Sequence, residues 1–437
     1  MKRTLQVLPL LILAGSAILA QAAETTDQAA LRETRPEIDT ILEQSQIALS
    51  DLFRLTELTN PGLAVARTDV QAQAGRVRQA GLYPNPELDL GVEELYLSDV
   101  SIHRQRVGLT QPLIIGGRRG AAVETARARL ASVDHRLRQS RREALRRVHQ
   151  LWAEQLYFQE AEAAFAELLA VADSTLAIAR TRFEARAAPE SHVTKAMLEV
   201  YELEVAQQQL AQDRVRGSAE FATFFGEVAV PLDRLAGSLD PDPAETTMPV
   251  DADATIGVHP AYRAARMNVA AAEAALREAR AERVPDLNLF FAYGNFEPIN
   301  ENYIEVGISL PLPLFHRNQG RVDETRSLIT RAEYQARIVE NDLTVAMATA
   351  HQRHLMMHEQ LDAVTGRIEP AAERGLEQAQ EAYRVGRLMF LELVDAQRTF
   401  TDVRLRTLEL RRDLAMAEAD LLSLLGAGPY ADPGEKR

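Results

Sequence analysis

Glu392 and Asp395 stand three residues apart, just after the stretch Tyr383-Arg384-Val385-Gly386-Arg387. On a helix that spacing puts both carboxylates on one face. Repeated around a symmetric opening, such a pair makes a cation-favouring ring; a solvated charged face is the bland alternative. Two hundred residues earlier the same positions hold His192 and Lys195. A second constellation is His351, His354 and His358, with Met356 and Met357 between the last two. His354 and His358, at i and i+4, face one way and suit a shared metal, or simply a polar helix face. The run His354-Leu355-Met356-Met357-His358 lacks the glutamate of a zinc-hydrolase HExxH helix, so hydrolysis is not indicated. With no phosphate loop, nucleophile triad or zinc spacing either, a non-enzyme without a cofactor is expected.

The remaining composition narrows the class. The chain has 437 residues, no cysteine and a net charge of −14. It opens on Met1-Lys2-Arg3, a short apolar run and Ala20-Gln21-Ala22, the pattern of a secretory signal peptide over 1–22. Export without a cysteine leaves neither disulfides nor a lipid-acceptor thiol. An acidic surplus argues against nucleic acid and against anionic lipid as partners. No later segment is apolar and long enough to span a bilayer as a helix, so membrane contact would fall to strands.

These residues sit in a duplicated chain. Asn60-Pro61 recurs as His259-Pro260, and Pro86-Glu87-Leu88-Asp89-Leu90 as Pro285-Asp286-Leu287-Asn288-Leu289, both 199 residues on. Phe183 then matches Tyr383, and Phe225-Gly226 matches Leu425-Gly426, at 200. Repeat 1 covers 49–226 and repeat 2 covers 259–426. Around them lie a polar segment 23–48, an Asp/Pro-rich linker 227–258 and a tail 427–437. Each repeat reads helix, strand, strand, long helix, return helix, which makes the class mainly α with a small β part. From Ala121 to Ala188 there is no glycine or proline, a helix of roughly 100 Å. In repeat 2, Gly366, Pro370 and Gly375 are expected to loosen the last third. Leu393, Ala396, Phe400, Val403, Thr407, Leu410, Leu414, Ala417, Leu421 and Leu424 alternate by three and four, the heptad seam of a coiled coil.

Strands are expected near 86–96, 103–113, 285–294 and 303–312, each apolar on one face with a period of two. About ten residues with one apolar face is the length of a membrane-spanning β-segment. Four strands cannot close a barrel alone, so they would be donated to one shared within an oligomer. Pro112, Pro311 and Pro313 would end ladder pairing at the membrane edge, and Gly120 and Gly320 would ease the turn into the long helices. Tyr96, Tyr293 and Tyr303 suit an interfacial girdle or buried packing. Arg136, Arg138, Arg141, Arg142, Arg146 and Arg147 suit intersubunit salt bridges or an anionic headgroup contact. Trp152 is most simply a packing residue.

With the duplication, the Asn60-Pro61 pair, the turn Tyr383-Arg384-Val385-Gly386 and the run Pro311-Leu312-Pro313-Leu314-Phe315-His316-Arg317-Asn318-Gln319-Gly320, the sequence resembles the TolC-type outer-membrane efflux proteins. The proline-rich run looks most like the cobalt–zinc–cadmium branch. The resemblance implies a homotrimer in the outer membrane, with a twelve-stranded barrel continuous with an α-helical periplasmic barrel. It also implies a periplasmic adaptor and an inner-membrane proton-driven transporter as partners. On that reading Tyr383, Gly386, Arg387, Glu392, Asp395 and His192 belong to the channel constriction. Repeat 1 departs from the family pattern, with Arg186 in place of a glycine. Open alternatives are the same duct for drugs, solvents or secreted proteins, and a soluble periplasmic coiled-coil scaffold.

Overall fold

The structure, a computed structural model, describes residues 34–97, 100–240, 252–297 and 301–432. The expected signal peptide, the side chain of Tyr96 and parts of the linker and tail lie outside the described positions. Repeat 1 contains α1 (Leu49–Thr59), α2 (Pro61–Ala80), β1 (Glu87–Leu97), β2 (Val100–Leu113), α3 (Arg118–Glu184) and α4 (Glu190–Phe224). After the linker come α5 (Ala252–Val258), α6 (Pro260–Ala281), β3 (Leu287–Glu297), β4 (Glu301–Ser309), α7 (Gln319–Ala363), α8 (Glu369–Arg384) and α9 (Phe390–Leu425). The same order of elements thus occurs twice. α3 runs unbroken for 67 residues, as its freedom from internal proline allows. Between α7 and α8 lies a π-helical turn, Val364–Ile368, centred on Gly366, with Pro370 in the first turn of α8. A π turn carries one extra residue, and proline is tolerated only where its missing N–H has no partner to lose.

The chain forms two compact units. One comprises, among described residues, 34–64, 141–240 and 349–432. Its core stacks Phe158, Phe165, Leu168, Val200 and Leu393, and a second cluster joins Ile47, Leu52, Leu151, Phe221 and Phe225. Every position of the α9 seam is buried or half-buried. Asn60 links the end of one helix to the start of another: its Nδ2 donates to the carbonyl of Phe224, the last residue of α4, at 3.0 Å. Its Oδ1 accepts from the N–H of Leu63 at 3.1 Å. This Asn thus satisfies a free carbonyl at a helix end and a free amide in a helix first turn at once. Trp152 is buried, with Nε1 donating to Ala236 O at 3.3 Å. Three of the arginines of α3 pair within the chain: Arg141 with Glu57, Arg142 with Asp432 and Arg146 with Asp420. Their acidic partners come from segments remote in sequence, a pairing that the local pattern does not reveal.

The other unit comprises 65–140 and 252–348 among described residues. Its four strands form one antiparallel sheet in the order β1-β2-β3-β4. The two repeats join through β2 and β3, in register Val107↔Tyr293 and Leu109↔Phe291. Helix contacts here use small residues, Ala265 and Val269 against Ala332 and Ala336. Ser132 Oγ donates to Asn268 Oδ1 at 2.6 Å. β4 stops at Ser309, three residues short of the expected end, because Pro311 has no N–H to give the ladder.

Candidate functional site

The first candidate is the tip where α3 turns into α4 and α8 into α9. Both turns are Schellman motifs. In repeat 2 the N–H of Arg387 bonds to Ala382 O at 2.8 Å and that of Gly386 to Tyr383 O at 3.1 Å. In repeat 1 Ala187 bonds to Arg182 O and Arg186 to Phe183 O, both at 2.8 Å. The motif needs a left-handed residue at its pivot. Gly386 takes it at φ +77°, and Arg186 takes it at φ +54°. The departure from glycine in repeat 1 thus leaves the turn intact.

Four side chains lace the two turns together. Tyr383, 2 % exposed, shares a hydrogen bond of 3.0 Å with His192 Nδ1. The His192 ring stacks on Phe390, with centroids 4.6 Å apart and planes at 15°. Arg182 lies over the Tyr383 ring, its guanidinium carbon 4.5 Å from the centroid. It also donates to the Tyr383 carbonyl and, at 3.4 Å, to Ala187 O. Burial, then the positive charges of Arg182 and Lys195, hold the His192 pKa below its usual value, so the neutral ring is favoured. Burial also raises the Tyr383 hydroxyl. Arg182 and Phe390 escaped the sequence reading. Arg182 stands where repeat 2 has Ala382 and Phe390 where repeat 1 has Glu190, so neither shows as a repeated feature.

Glu392 and Asp395 are both exposed. Glu392 Oε2 accepts the N–H of Met389 at 3.2 Å, capping α9. Arg387 is exposed as well. The return helices are clamped nearby: Arg398 Nε and Nη2 meet the two oxygens of Glu199 at 2.9 and 2.5 Å, with the Glu199 side chain 10 % exposed. Of the histidine stripe, His354 is buried, and His358 Nδ1 lies 3.2 Å from Asp362. Among the described residues no three His, Asp or Glu side chains converge on a metal-sized point.

The second candidate is one face of the sheet. The register aligns Leu88, Leu109, Phe291 and Val306 in one row and Leu90, Val107, Tyr293 and Ile304 in the next. With Leu289 and Ile308 they are 41–72 % exposed, an apolar patch far larger than isolated surface leucines make. The opposite face carries Asp89, Arg106 and Glu305, with Arg106 and Glu305 3.9 Å apart. Thr110 Oγ1 donates to Asp89 there at 2.8 Å. Tyr293 belongs to the apolar face, whereas Tyr303 lies on the polar one under Arg104, so only the first fits an interfacial girdle. Among the described residues no helix is long and apolar enough to cross a membrane.

At the sheet-to-helix junction, Pro112 lies opposite Asn288 in β2. Pairing with β1 has already ended at Thr110, so the missing N–H costs no bond on that side. Pro311 and Pro313 follow β4. The backbone reverses at Gly116 (φ +75°), Gly117 (φ +78°) and Asn318 (φ +56°), not at the expected Gly120 and Gly320, which are already helical. Asn tolerates the left-handed region, and Asn318 is held there by Nδ2 donating to Ala279 O and Glu282 Oε2 at 2.8 and 2.7 Å.

The family model described as "outer membrane efflux protein" matches residues 52–227 and again 254–427. Among curated proteins, the chain is 23 % identical over 382 residues to the cobalt-zinc-cadmium resistance protein CzcC of Cupriavidus metallidurans, covering 87 % of this chain and 90 % of that one. It is 26 % identical over 299 residues to the nickel-cobalt-cadmium resistance protein NccC of Alcaligenes xylosoxydans xylosoxydans, covering 66 % of each. Among solved structures, the outer-membrane channel OprN superposes with a TM-score of 0.75 at 18 % identity, over 87 % of this chain and 90 % of that one. CusC gives 0.75 at 16 % identity, over 89 % and 94 %. VceC of Vibrio cholerae gives 0.70 at 18 %, over 87 % and 96 %. Matched on both repeats, the chain belongs to the outer membrane efflux protein family, and its place is the outer membrane.

Proposed function

We propose that three copies of this chain form the exit duct of a tripartite pump that expels heavy-metal cations. The observation that carries the reading is the sheet. Four strands with one exposed apolar face, one polar face and an unpaired edge on each of β1 and β4 among the described residues need further strands to close. Three sheets would make a twelve-stranded barrel, apolar towards lipid and polar inside. A soluble scaffold would have to leave that apolar face in water. Cargo would arrive from an inner-membrane proton-driven transporter through a periplasmic adaptor, and the duct itself would catalyse nothing. At the tip, Glu392 and Asp395 from three chains would offer six carboxylates to a passing cation, beside the Tyr383–His192 contact, with Gly386 and Arg387 at the turn. A passive conduit must release what it passes, so His351, His354 and His358 are assigned no tight metal site.

Heavy metals are favoured over drugs or solvents because the relatives matched by sequence are named for resistance to cobalt, zinc, cadmium and nickel. The test is metal retention in cells lacking the protein, with and without its restoration, beside lipophilic dyes. Retention of zinc, cobalt or cadmium without dye retention is expected. Dye retention alone would transfer the duct to organic cargo, and no change in either would remove the export role.

A further inference from the structure

The junction after β4 exposes more apolar surface than any packing role explains. Leu312 is 72 % exposed, Leu314 64 % and Phe315 91 %. Leu312 follows Ile304, Val306, Ile308 and Leu310 at the same spacing past the last paired residue, and a tight turn at Pro313, with the Leu314 N–H on Leu312 O at 2.9 Å, then leaves Leu314 and Phe315 exposed. The internal repeat supplies a control. At the position of Phe315 the first repeat has Gly116, whose site is so close to Val284 that an added Cβ would lie 2.5 Å from it. Repeat 1 thus has no room for a side chain at this position, whereas repeat 2 places an aromatic ring there in the open.

The fixed charges beside the loop are two arginines, Arg283 and Arg317, and one carboxylate, Glu282. Arg283 and His316 line a cavity of about 470 Å³ with Pro311 to Phe315, and Arg317 follows. Glu282 borders the same cavity and accepts a hydrogen bond from Asn318 Nδ2 at 2.7 Å. Apolar side chains next to cations, at the end of a lipid-facing strand, match the chemistry of a bilayer interface, with acyl chains on one side and phosphates on the other.

Length points the same way. The outward residues of β4 from Ile304 to Leu310 rise about 20 Å along the strand. At a barrel tilt near 40° that is about 15 Å along the membrane normal, short of an apolar belt of about 25 Å. The missing height must come from beyond the strand, and Leu312, Leu314 and Phe315 are what the chain offers at this end.

We infer that the Leu312–Phe315 loop inserts into the periplasmic leaflet of the outer membrane, anchoring the junction at the level of the phospholipid headgroups. This rests on the barrel reading given above, whose lipid-facing surface it extends. The test is tryptophan emission from Phe315→Trp, reconstituted as the intact oligomer in phosphatidylethanolamine/phosphatidylglycerol vesicles. The chain's own Trp152 is buried and gives a constant background. Dibrominated phospholipid is the lipid quencher, iodide the aqueous one, and Ile308→Trp the mid-strand control. Lipid quenching of Phe315→Trp several-fold above the parent, with iodide shielding, is expected, and Leu312→Trp should behave alike. Lipid quenching at position 308 but not at 315 would overturn the anchor and leave the barrel standing. In that case iodide access would place the loop in water, and shielding from both quenchers would place it under a second copy of the chain. Absence of lipid quenching at both positions would overturn the barrel reading and the anchor with it.

Discussion

Tyr383 and His192, one from each repeat, share a 3.0 Å hydrogen bond at the helix tip, between the guanidinium of Arg182 and the ring of Phe390. The two turns are thus tied by a repeated aromatic position, Tyr383, and by three side chains that the repeat does not share, His192, Arg182 and Phe390. In the proposed duct this contact would tie the two hairpins of one chain together at the narrow end.

The contact is expected to weaken in acid. The His192 pKa is lowered from 6.5 in the folded tip, so the unfolded or opened tip binds a proton that the closed one resists. Stability of the closed tip is therefore complete above about pH 6.5 and falls as the pH drops towards the depressed value. Protonated, His192 would face Arg182 from α3 and Lys195 from its own helix, with the Tyr383 hydroxyl the polar group beside it. Conductance of the reconstituted protein should rise between pH 7.5 and 5, and this rise should be absent in His192→Asn. A flat profile in the parent would contradict the assignment.

Arg186 holds a left-handed conformation that costs an L-residue about 1 kcal/mol. Arg186→Gly should therefore raise the stability of the tip by about that amount, while Gly386→Ala should lower it similarly. Limited proteolysis of the tip against denaturant checks both signs.

Arg398→Ala should leave the nearly buried Glu199 carboxylate without its two charged hydrogen bonds. Because Arg398 is half exposed, the expected loss is about 2 kcal/mol, below that of a fully buried pair. A double-mutant cycle with Glu199→Gln should recover part of it.

His149 gives a second acid dependence, in the helical core. It is buried, shares a 2.9 Å hydrogen bond with Tyr430 Oη, and its pKa is pushed down from 6.5 to about 4 by desolvation. Lowering the pH from 6.5 to 4 should cost about 3 kcal/mol of stability from this group. His149→Gln should flatten the denaturation midpoint over that window.

The period-two strands, the long helices and the α9 seam were legible because each reflects local patterning, which a sequence displays directly. The tip contact was legible only in part. Tyr383 and His192 stood out as turn residues, but their pairing depends on Arg182 and Phe390, which break the repeat. The backbone reversals fall at Gly116, Gly117 and Asn318, not at Gly120 and Gly320, because glycine and a hydrogen-bonded asparagine both tolerate the left-handed conformation that the turn requires. Arg141 and Arg142 of α3 reach acids far along the chain, Glu57 and Asp432, and no local pattern encodes that distance.

The most direct test of a cation-passing duct is the reversal potential of the purified oligomer in a planar bilayer under a salt gradient. It is best recorded on Tyr383→Phe, whose loosened tip should stay open longer. A cation-selective pore whose preference falls in Glu392→Gln/Asp395→Asn is the predicted result. Anion selectivity, or a preference unchanged by removing those carboxylates, would contradict the assigned tip, and the absence of any pore would contradict the duct.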